Sequence, residues 1–121
     1  MHLSTAILSV CVLTLTCPVA FGKGDSTTGK ALAEKNCIYC HGLDGNGNKE
    51  SLAYLRGGMP RIAGQPLLYL VKSMNGYKSG TRIDNDMNIV SEYLSEQDIL
   101  DLASWYAEQE PKAEAVYSHP Y

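Results

Sequence analysis

Two cysteines and a histidine within five consecutive residues are the part of this sequence best suited to chemistry. Cys37 and Cys40 are separated by two residues, and His41 follows directly. Two thiols at this spacing lie on one face of a helical turn. Each can form a thioether with one vinyl group of a haem, which leaves His41 directed at the iron. The run therefore predicts covalent attachment of one c-type haem.

A Cys-x-x-Cys pair also occurs as a redox-active dithiol and as half of a zinc site. A redox pair is expected near a β-α-β pattern, and a zinc site needs a second pair of ligands. No strand-rich segment stands out, and the only other cysteines are Cys11 and Cys17. Both features favour haem over the two alternatives.

The first 22 residues have the composition of a secretory signal peptide. Residues 3–21 are apolar and uncharged, and Ala20 and Gly22 supply the small residues that a signal peptidase accepts, so we expect cleavage after Gly22. A membrane anchor is the alternative, but the strongly apolar part is shorter than the ~20 residues that span a bilayer. Cys17 as a lipoprotein cysteine is disfavoured by Thr16 before it. We expect an exported, soluble periplasmic protein without stable membrane insertion after cleavage.

The rest of the chain predicts one small domain, residues 23–111, followed by a flexible tail, residues 112–121. All ten basic and all thirteen acidic residues follow Gly22, so the mature net charge remains −3. A nucleic-acid-binding domain is expected to carry a basic face, which this balance does not favour. No internal repeat or second domain is visible.

Apolar periodicity and capping residues predict an all-α domain of four or five helices. Residues 23–27 look like a flexible lead-in, and 49–58 is ambiguous. We expect Ser26 or Thr27 to cap the first helix and Pro111 to end the last one. Pro66 is expected to be the first residue of the helix that contains Leu70 and Met74. Ser95 with Asp98 resembles a capping box. The predicted helices cover Thr28–Asn36, the stretch after Pro66, Ile89–Tyr93, and the stretch after Ser95.

With these elements in place, the chain resembles class I cytochromes c. The resemblance covers residues 28–109 and rests on five stretches: 40–47, 59–65, 77–82, 85–87 and 94–107. Within the class it is nearest to small bacterial diheme cytochromes and to the cytochrome subunit of flavocytochrome c sulfide dehydrogenases. Those groups usually carry two such domains, whereas this chain carries one. The resemblance implies a cytochrome c fold whose first and last helices cross, with Gly29 opposite Trp105 and Leu102.

Three methionines of the predicted domain compete for the second axial position on the iron. Met74 lies on a helical stripe, which favours a role in the core. Met59 precedes Pro60, whose carbonyl in the family accepts a hydrogen bond from the ligand histidine. Met59 would therefore lie on the histidine side of the iron and not on the side of the second ligand. Met87 is an isolated apolar residue in a polar loop, and its place before the last helix matches the family's ligand. We therefore predict His41 and Met87 as the axial ligands; the alternatives are an open site or His119 in the tail.

Several other residues are candidates to contact the haem. Arginine pairs well with carboxylates, so some of them could hold the propionates. Each could equally be an ordinary surface or core residue. The candidates for packing are Pro60, Ile62, Leu68, Leu70 and Met74, and those for the propionates are Arg61, Tyr77 and Arg82.

Two strong axial ligands leave no coordination site for a substrate, which favours an electron carrier over an enzyme. The expected partners are redox proteins, either a reductase and an oxidase or a flavoprotein dehydrogenase. One alternative is a permanent electron-transfer subunit of a dehydrogenase complex. Another is a haem catalyst or sensor with an open sixth position.

Overall fold

The computed structural model describes residues 22, 24–48 and 60–113 of the chain. The predicted signal peptide up to residue 21, the ambiguous stretch 49–58, Met59 and His119 lie outside these residues. The described part is helical and has no strand, which confirms the all-α prediction. Its helices, in chain order, are α1 (Ser26–Asn36), α2 (Ile38–His41), α3 (Leu67–Ser79), α4 (Asn85–Glu92) and α5 (Glu96–Ala107). None of them has both the length and the apolarity needed to span a bilayer.

Asp25, within the stretch that was predicted as a flexible lead-in, is part of the fold. Asp25, and not Ser26 or Thr27, caps α1: its carboxylate accepts the N–H of Thr28 at 2.7 Å. The backbone N–H of Asp25 donates to Oδ1 of Asp101 in α5, also at 2.7 Å. Asp25 thus caps one helix and joins it to another, a long-range contact that short-range sequence patterns do not contain.

Helices α1 and α5 cross in direct contact at Gly29, as the resemblance implied. A Cβ atom built on Gly29 would lie 2.0 Å from the carbonyl oxygen of Asp101 and 3.0 Å from Cβ of Trp105. A side chain at this position would therefore collide with the backbone of α5. Leu102, also expected opposite Gly29, lines the central cavity of the domain.

Helix α3 begins one residue later than the sequence predicts, because Pro66 is its N-cap and not its first residue. The carbonyl of Pro66 accepts the N–H of Leu70 at 3.1 Å. Leu70 is buried, with Val71 and Met74 partly buried against the same core. Gly80 ends the helix in the left-handed conformation, at a φ of 75°.

Helix α4 differs most from expectation, since Met87 lies inside it and not in a loop before a helix at Ile89–Tyr93. The helix covers Asn85–Glu92. Asp84 is its N-cap, and its carboxylate accepts the N–H groups of Asp86 at 3.1 Å and Met87 at 2.9 Å. An aspartate followed by polar residues is typical of loops as well as caps, and for that reason the helix start was missed.

Helix α5 supplies most of the core. Ile99, Leu102, Ala103 and Tyr106 repeat at helical spacing and are buried. They pack with Ala33 of α1, Leu70 of α3 and Leu94 before α5. The predicted capping box is present: Ser95 Oγ accepts the N–H of Asp98 at 3.0 Å, and Asp98 Oδ2 accepts the N–H of Ser95 at 2.8 Å.

The domain continues past Pro111, where the flexible tail was expected to begin. The backbone N–H of Lys112 donates to Oδ1 of Asn46 at 2.7 Å, and its ammonium lies 2.5 Å from a carboxylate oxygen of Asp44. Residues 114–121 lie outside the described part of the chain.

The capping box predicts a pH-dependent contribution to stability. The hydrogen bonds from Ser95 hold the pKa of Asp98 below its ordinary value of 3.8. A carboxyl group with a lowered folded-state pKa stabilises the fold above about pH 4, and this contribution is lost as the pH falls through the lower folded value. We expect Asp98→Asn to reduce the free energy of unfolding by about 0.3–1 kcal/mol at pH 7, because it removes a negative charge from the first turn of the helix.

The measurement is denaturant unfolding of wild type and Asp98→Asn between pH 7 and pH 3. The difference between the two proteins should shrink below about pH 4. Glu96→Gln, in the same helical turn but outside the capping box, is the matched control. A difference that stays constant across the range would contradict the prediction.

Candidate functional site

Cys37, Cys40 and His41 are held together by one short turn of helix. Cys37 ends α1 and opens α2, and its carbonyl accepts the N–H of His41 at 2.8 Å. Both cysteines are partly buried, and His41 is only 8% exposed. Ile38 and Tyr39, between the cysteines, are exposed. The turn therefore directs both thiols and the imidazole inward and the two intervening residues outward.

The loop after this turn brings a distant segment to the histidine. Gly45 has a φ of 70°, and its carbonyl accepts the N–H groups of Ile62 at 2.9 Å and Ala63 at 3.1 Å. A Cβ on Gly45 would lie 2.8 Å from the backbone N of Ala63, so no larger residue fits without a shift. Pro60, at the start of that segment, consequently lies beside His41.

The imidazole of His41 has a defined tautomer. Its Nδ1 lies 2.9 Å from the carbonyl oxygen of Pro60, as the resemblance implied. A carbonyl can only accept, so Nδ1 carries the proton, and the lone pair of the neutral ring is on Nε2. Burial is the largest influence on this side chain and lowers the pKa of His41. The neutral ring can thus offer Nε2 to a metal while Pro60 fixes its orientation.

Ten of the residues named from the sequence as haem contacts or ligands line one cavity in the centre of the domain. These residues are Cys37, Cys40, His41, Pro60, Arg61, Ile62, Leu70, Tyr77, Arg82 and Met87. Met74 lies there too, whereas Leu68 is 65% exposed and does not line the cavity. The structure brings the candidates together; their roles toward a haem stay predictions.

The two thiols stay protonated before any attachment. Burial raises the pKa of Cys37 to about 11, and burial also raises the pKa of Cys40. A buried cysteine behaves as a small apolar side chain, in keeping with the cavity wall around it.

Arg82 forms a cationic corner of the cavity together with residues that the sequence did not single out. Its Nη1 donates to Oγ of Ser73 at 2.8 Å, and its guanidinium lies 4.7 Å from the centre of the Tyr77 ring. A hydrogen bond with Tyr69 raises the pKa of Arg82 and lowers that of Tyr69. Tyr69 and Ser73 were missed because only the folding of the loop after α3 brings Arg82 back to them.

Two aromatic residues of α5 fasten the loop that follows the Cys-x-x-Cys-His turn. Tyr106 is 3% exposed, and its hydroxyl donates to the carbonyl of Gly42 at 3.2 Å. Trp105 Nε1 donates to the carbonyl of Leu43 at 2.8 Å. Buried Tyr and Trp side chains usually form a hydrogen bond through their polar atom. The sequence therefore indicates that these two residues need acceptors, but it does not identify the carbonyls that serve.

The donor set fits a haem better than an isolated metal ion. Among the described residues, no group of three or more His, Cys, Asp or Glu side chains could hold a metal. The cavity instead offers two thiols, one imidazole nitrogen and thioether sulfurs among apolar walls that include Ile62, Leu70 and Leu102. Thiols for the vinyl groups, nitrogen and sulfur for the iron and an apolar enclosure are what a c-type haem requires.

Comparisons with known proteins find similarity to cytochromes c. The family model of cytochrome c matches residues 26–109. Cytochrome c4 from Pseudomonas aeruginosa is 36% identical over 75% of this chain and 41% of its own length. Cytochrome c-554(548) from Halomonas halodenitrificans is 36% identical over 61% of this chain and 84% of its own length.

A solved structure of thiosulfate dehydrogenase from Marichromatium purpuratum is also similar. It has a TM-score of 0.62 and 28% identity, over 74% of this chain and 19% of that one. The chain therefore spans about two fifths of the cytochrome c4 and a smaller share of the dehydrogenase chain.

The contact between Tyr106 and Gly42 gives a prediction for the stability of the site. Tyr106→Phe removes the hydroxyl and leaves the partly buried carbonyl of Gly42 with only the longer hydrogen bond from the N–H of Gly45 at 3.3 Å, so we expect a loss of about 1 kcal/mol in unfolding free energy. Tyr93→Phe, at a tyrosine that is 81% exposed, is the matched control and should change little. Equal denaturation midpoints for Tyr106→Phe and wild type would show that the hydrogen bond adds no stability.

Proposed function

Because the chain belongs to the cytochrome c family, we propose that it carries single electrons between proteins of the periplasm on one covalently bound haem c. The observation that carries the proposal is that Cys37, Cys40, His41 and Met87 all line the same cavity. The cytochrome c family binds haem c covalently. A haem supplies one-electron chemistry, exchanging its iron between the ferric and ferrous states.

We assign the attachment to Cys37 and Cys40 and the axial positions to His41 and Met87. The imidazole of His41 is already oriented by the carbonyl of Pro60, at 2.9 Å. Met87 is held through its backbone N–H by Asp84, at 2.9 Å. Met74 is the competing sulfur in the same cavity, but it also packs against the core cluster, which supports a packing role. With both positions filled by protein atoms, no site remains for a substrate, and the protein is a carrier and not an enzyme.

Arg82, Tyr77 and Arg61 are the proposed partners of the two propionates. Arg82 and Tyr77 already form a stacked pair on the cavity wall, and Arg61 lines another part of it. Guanidinium groups pair with carboxylates through two parallel hydrogen bonds, which adds geometric specificity to the charge interaction. The remaining candidates, Pro60, Ile62 and Leu70, supply apolar contact with the ring.

The periplasm is the proposed location, because the first 22 residues read as a cleaved signal peptide and covalent haem attachment takes place outside the cytoplasm in proteins of this resemblance. Loss of the first 22 residues would remove Cys11 and Cys17. Cys37 and Cys40 would then be the only cysteines left in the mature protein, and both would be occupied by the haem.

The ligand assignment predicts opposite results for two methionine variants. Met87→Ala should abolish the weak far-red absorption band of a sulfur–ferric bond and lower the reduction potential, since Met ligation raises it. Met74→Ala is the matched control, a cavity methionine of the neighbouring helix, and should keep the band. The measurement is the absorption spectrum of the oxidised holoprotein. Loss of the band in Met74→Ala alone, or rapid carbon monoxide binding by reduced wild type, would contradict the assignment and favour the open-site alternative.

A second candidate function is that of an electron-transfer subunit or dedicated acceptor of a dehydrogenase. The similarity to the solved thiosulfate dehydrogenase supports it. So does a relative named as a thiosulfate dehydrogenase electron acceptor, from Thiomonas intermedia, at 33% identity over 63% of this chain.

Hydrodynamic size distinguishes the two functions. A free carrier should elute from native periplasmic extract near the mass of a single mature domain, about 11 kDa from its length. A permanent subunit should elute with a far larger complex that contains a dehydrogenase. The measurement is size-exclusion chromatography of the native extract followed by haem staining.

A further inference from the structure

The side chain of Asn88 makes three hydrogen bonds immediately beside the proposed iron ligand. Its Nδ2 donates to the carbonyl of Tyr77 at 2.5 Å and to the carbonyl of Arg82 at 2.9 Å. Its Oδ1 accepts the backbone N–H of Asp84 at 2.6 Å. One partly buried side chain thus joins the last turn of α3, the loop after α3 and the N-cap of α4.

The orientation of this amide follows from its partners. A carbonyl can only accept and a backbone N–H can only donate, so exchanging Oδ1 and Nδ2 would break all three hydrogen bonds. Both donor hydrogens of the amide are used, and its oxygen is used as well. No other residue type of this size offers two donors and one acceptor in this arrangement.

The three contacts close a ring of interactions around Met87. Asn88 holds the backbone of Asp84, and the carboxylate of Asp84 in turn accepts the N–H of Met87 at 2.9 Å. The loop is fixed at its other end as well, because the N–H of Arg82 donates to the carbonyl of Gly76 at 3.0 Å. The side chains of Asp84 and Asn88 therefore tie the first turn of α4 to α3 and to the loop between the two helices.

A helix as short as α4, which covers Asn85–Glu92, has little stability of its own. Its first turn contains Met87 and is the part that opens most readily, because the first N–H groups of a helix have no partner within it. The bonds to Asp84 and Asn88 supply the partners that the helix itself lacks. They also hold Tyr77 and Arg82, the proposed propionate contacts, in register with Met87.

We propose that Asn88 is a positioning residue for the axial sulfur, clamping the first turn of α4 against α3 so that Met87 stays in place at the iron. The proposal rests on the proposed function, specifically on ligation by Met87. Asn88 itself does not touch the metal in this role; it acts through Asp84 and through the backbone of the loop. Its contribution is to the persistence of the sulfur–iron contact and not to the identity of the ligand.

The test is the binding of free imidazole to the oxidised holoprotein, which must displace the sulfur. Asn88→Asp keeps the oxygen that accepts from Asp84 but loses both donor bonds, and Asn88→Ala loses all three. We expect both variants to retain the far-red band without imidazole and to bind imidazole about tenfold more tightly, the effect of one to two hydrogen bonds of ordinary strength.

Two controls separate this effect from charge and from general destabilisation. Asn85→Asp introduces the same charge at an exposed position of the same helix and should bind imidazole as wild type does. Ser95→Ala weakens the capping box of α5 and lowers global stability without touching the clamp. If Ser95→Ala tightens imidazole binding as much as the Asn88 variants do, the effect is global and the proposal is wrong.

The outcomes also distinguish the clamp from the ligand assignment on which it rests. Wild-type imidazole affinity in Asn88→Asp and Asn88→Ala, with the far-red band present, overturns the clamp alone. Absence of the band from wild type, or its survival in Met87→Ala, overturns the ligand assignment and the clamp with it.

Discussion

The crossing of α1 and α5 at Gly29 is the constraint on which the rest of the domain depends. The backbone of α5 approaches so closely that a Cβ on Gly29 would lie 2.0 Å from the carbonyl oxygen of Asp101. Asp101 is 4% exposed, and its carboxylate accepts the N–H of Asp25 and the side-chain amide of Gln97. Hydrogen bonds of this kind are what a buried carboxylate requires. Since Cys37 directly follows α1, the crossing also sets the position of the two thiols relative to Leu102 and Tyr106 of α5.

The two sides of the cavity are built by different kinds of contact. On the histidine side, backbone groups dominate: the carbonyl of Gly45 joins the segment after Pro60, and the carbonyl of Pro60 orients His41. On the methionine side, side chains dominate, because Asp84 and Asn88 hold the first turn of α4. Backbone contacts depend on the path of the chain, whereas side-chain contacts depend on residue identity.

Local signals explain what could be predicted from the sequence. The Cys-x-x-Cys-His spacing predicted three residues that line the cavity, and apolar periodicity with a capping box predicted α5. Both patterns could be read because they depend on neighbours within one or two helical turns. The predicted start of α4 was wrong because Asp84 suits a loop as well as a helix cap. Tyr69, Ser73 and Asn88 were missed for a different reason. Their partners are brought to them by the return of the loop after α3, and no short-range pattern encodes that return.

The distribution of exposure in the α2 turn is consistent with electron transfer at the edge of the haem. His41 is 8% exposed, while Ile38 and Tyr39, between the attaching cysteines, are 41% and 57% exposed. The proposed axial nitrogen of His41 is therefore largely shielded from water, and under the proposed function the exposed pair beside the proposed attachment points is available to a partner protein. Electron-transfer encounters use small interfaces, and two adjacent apolar side chains suit a contact of that size. In the proposed electron carrier, two axial ligands supplied by the protein behind this short exposed edge suit electron transfer without ligand exchange.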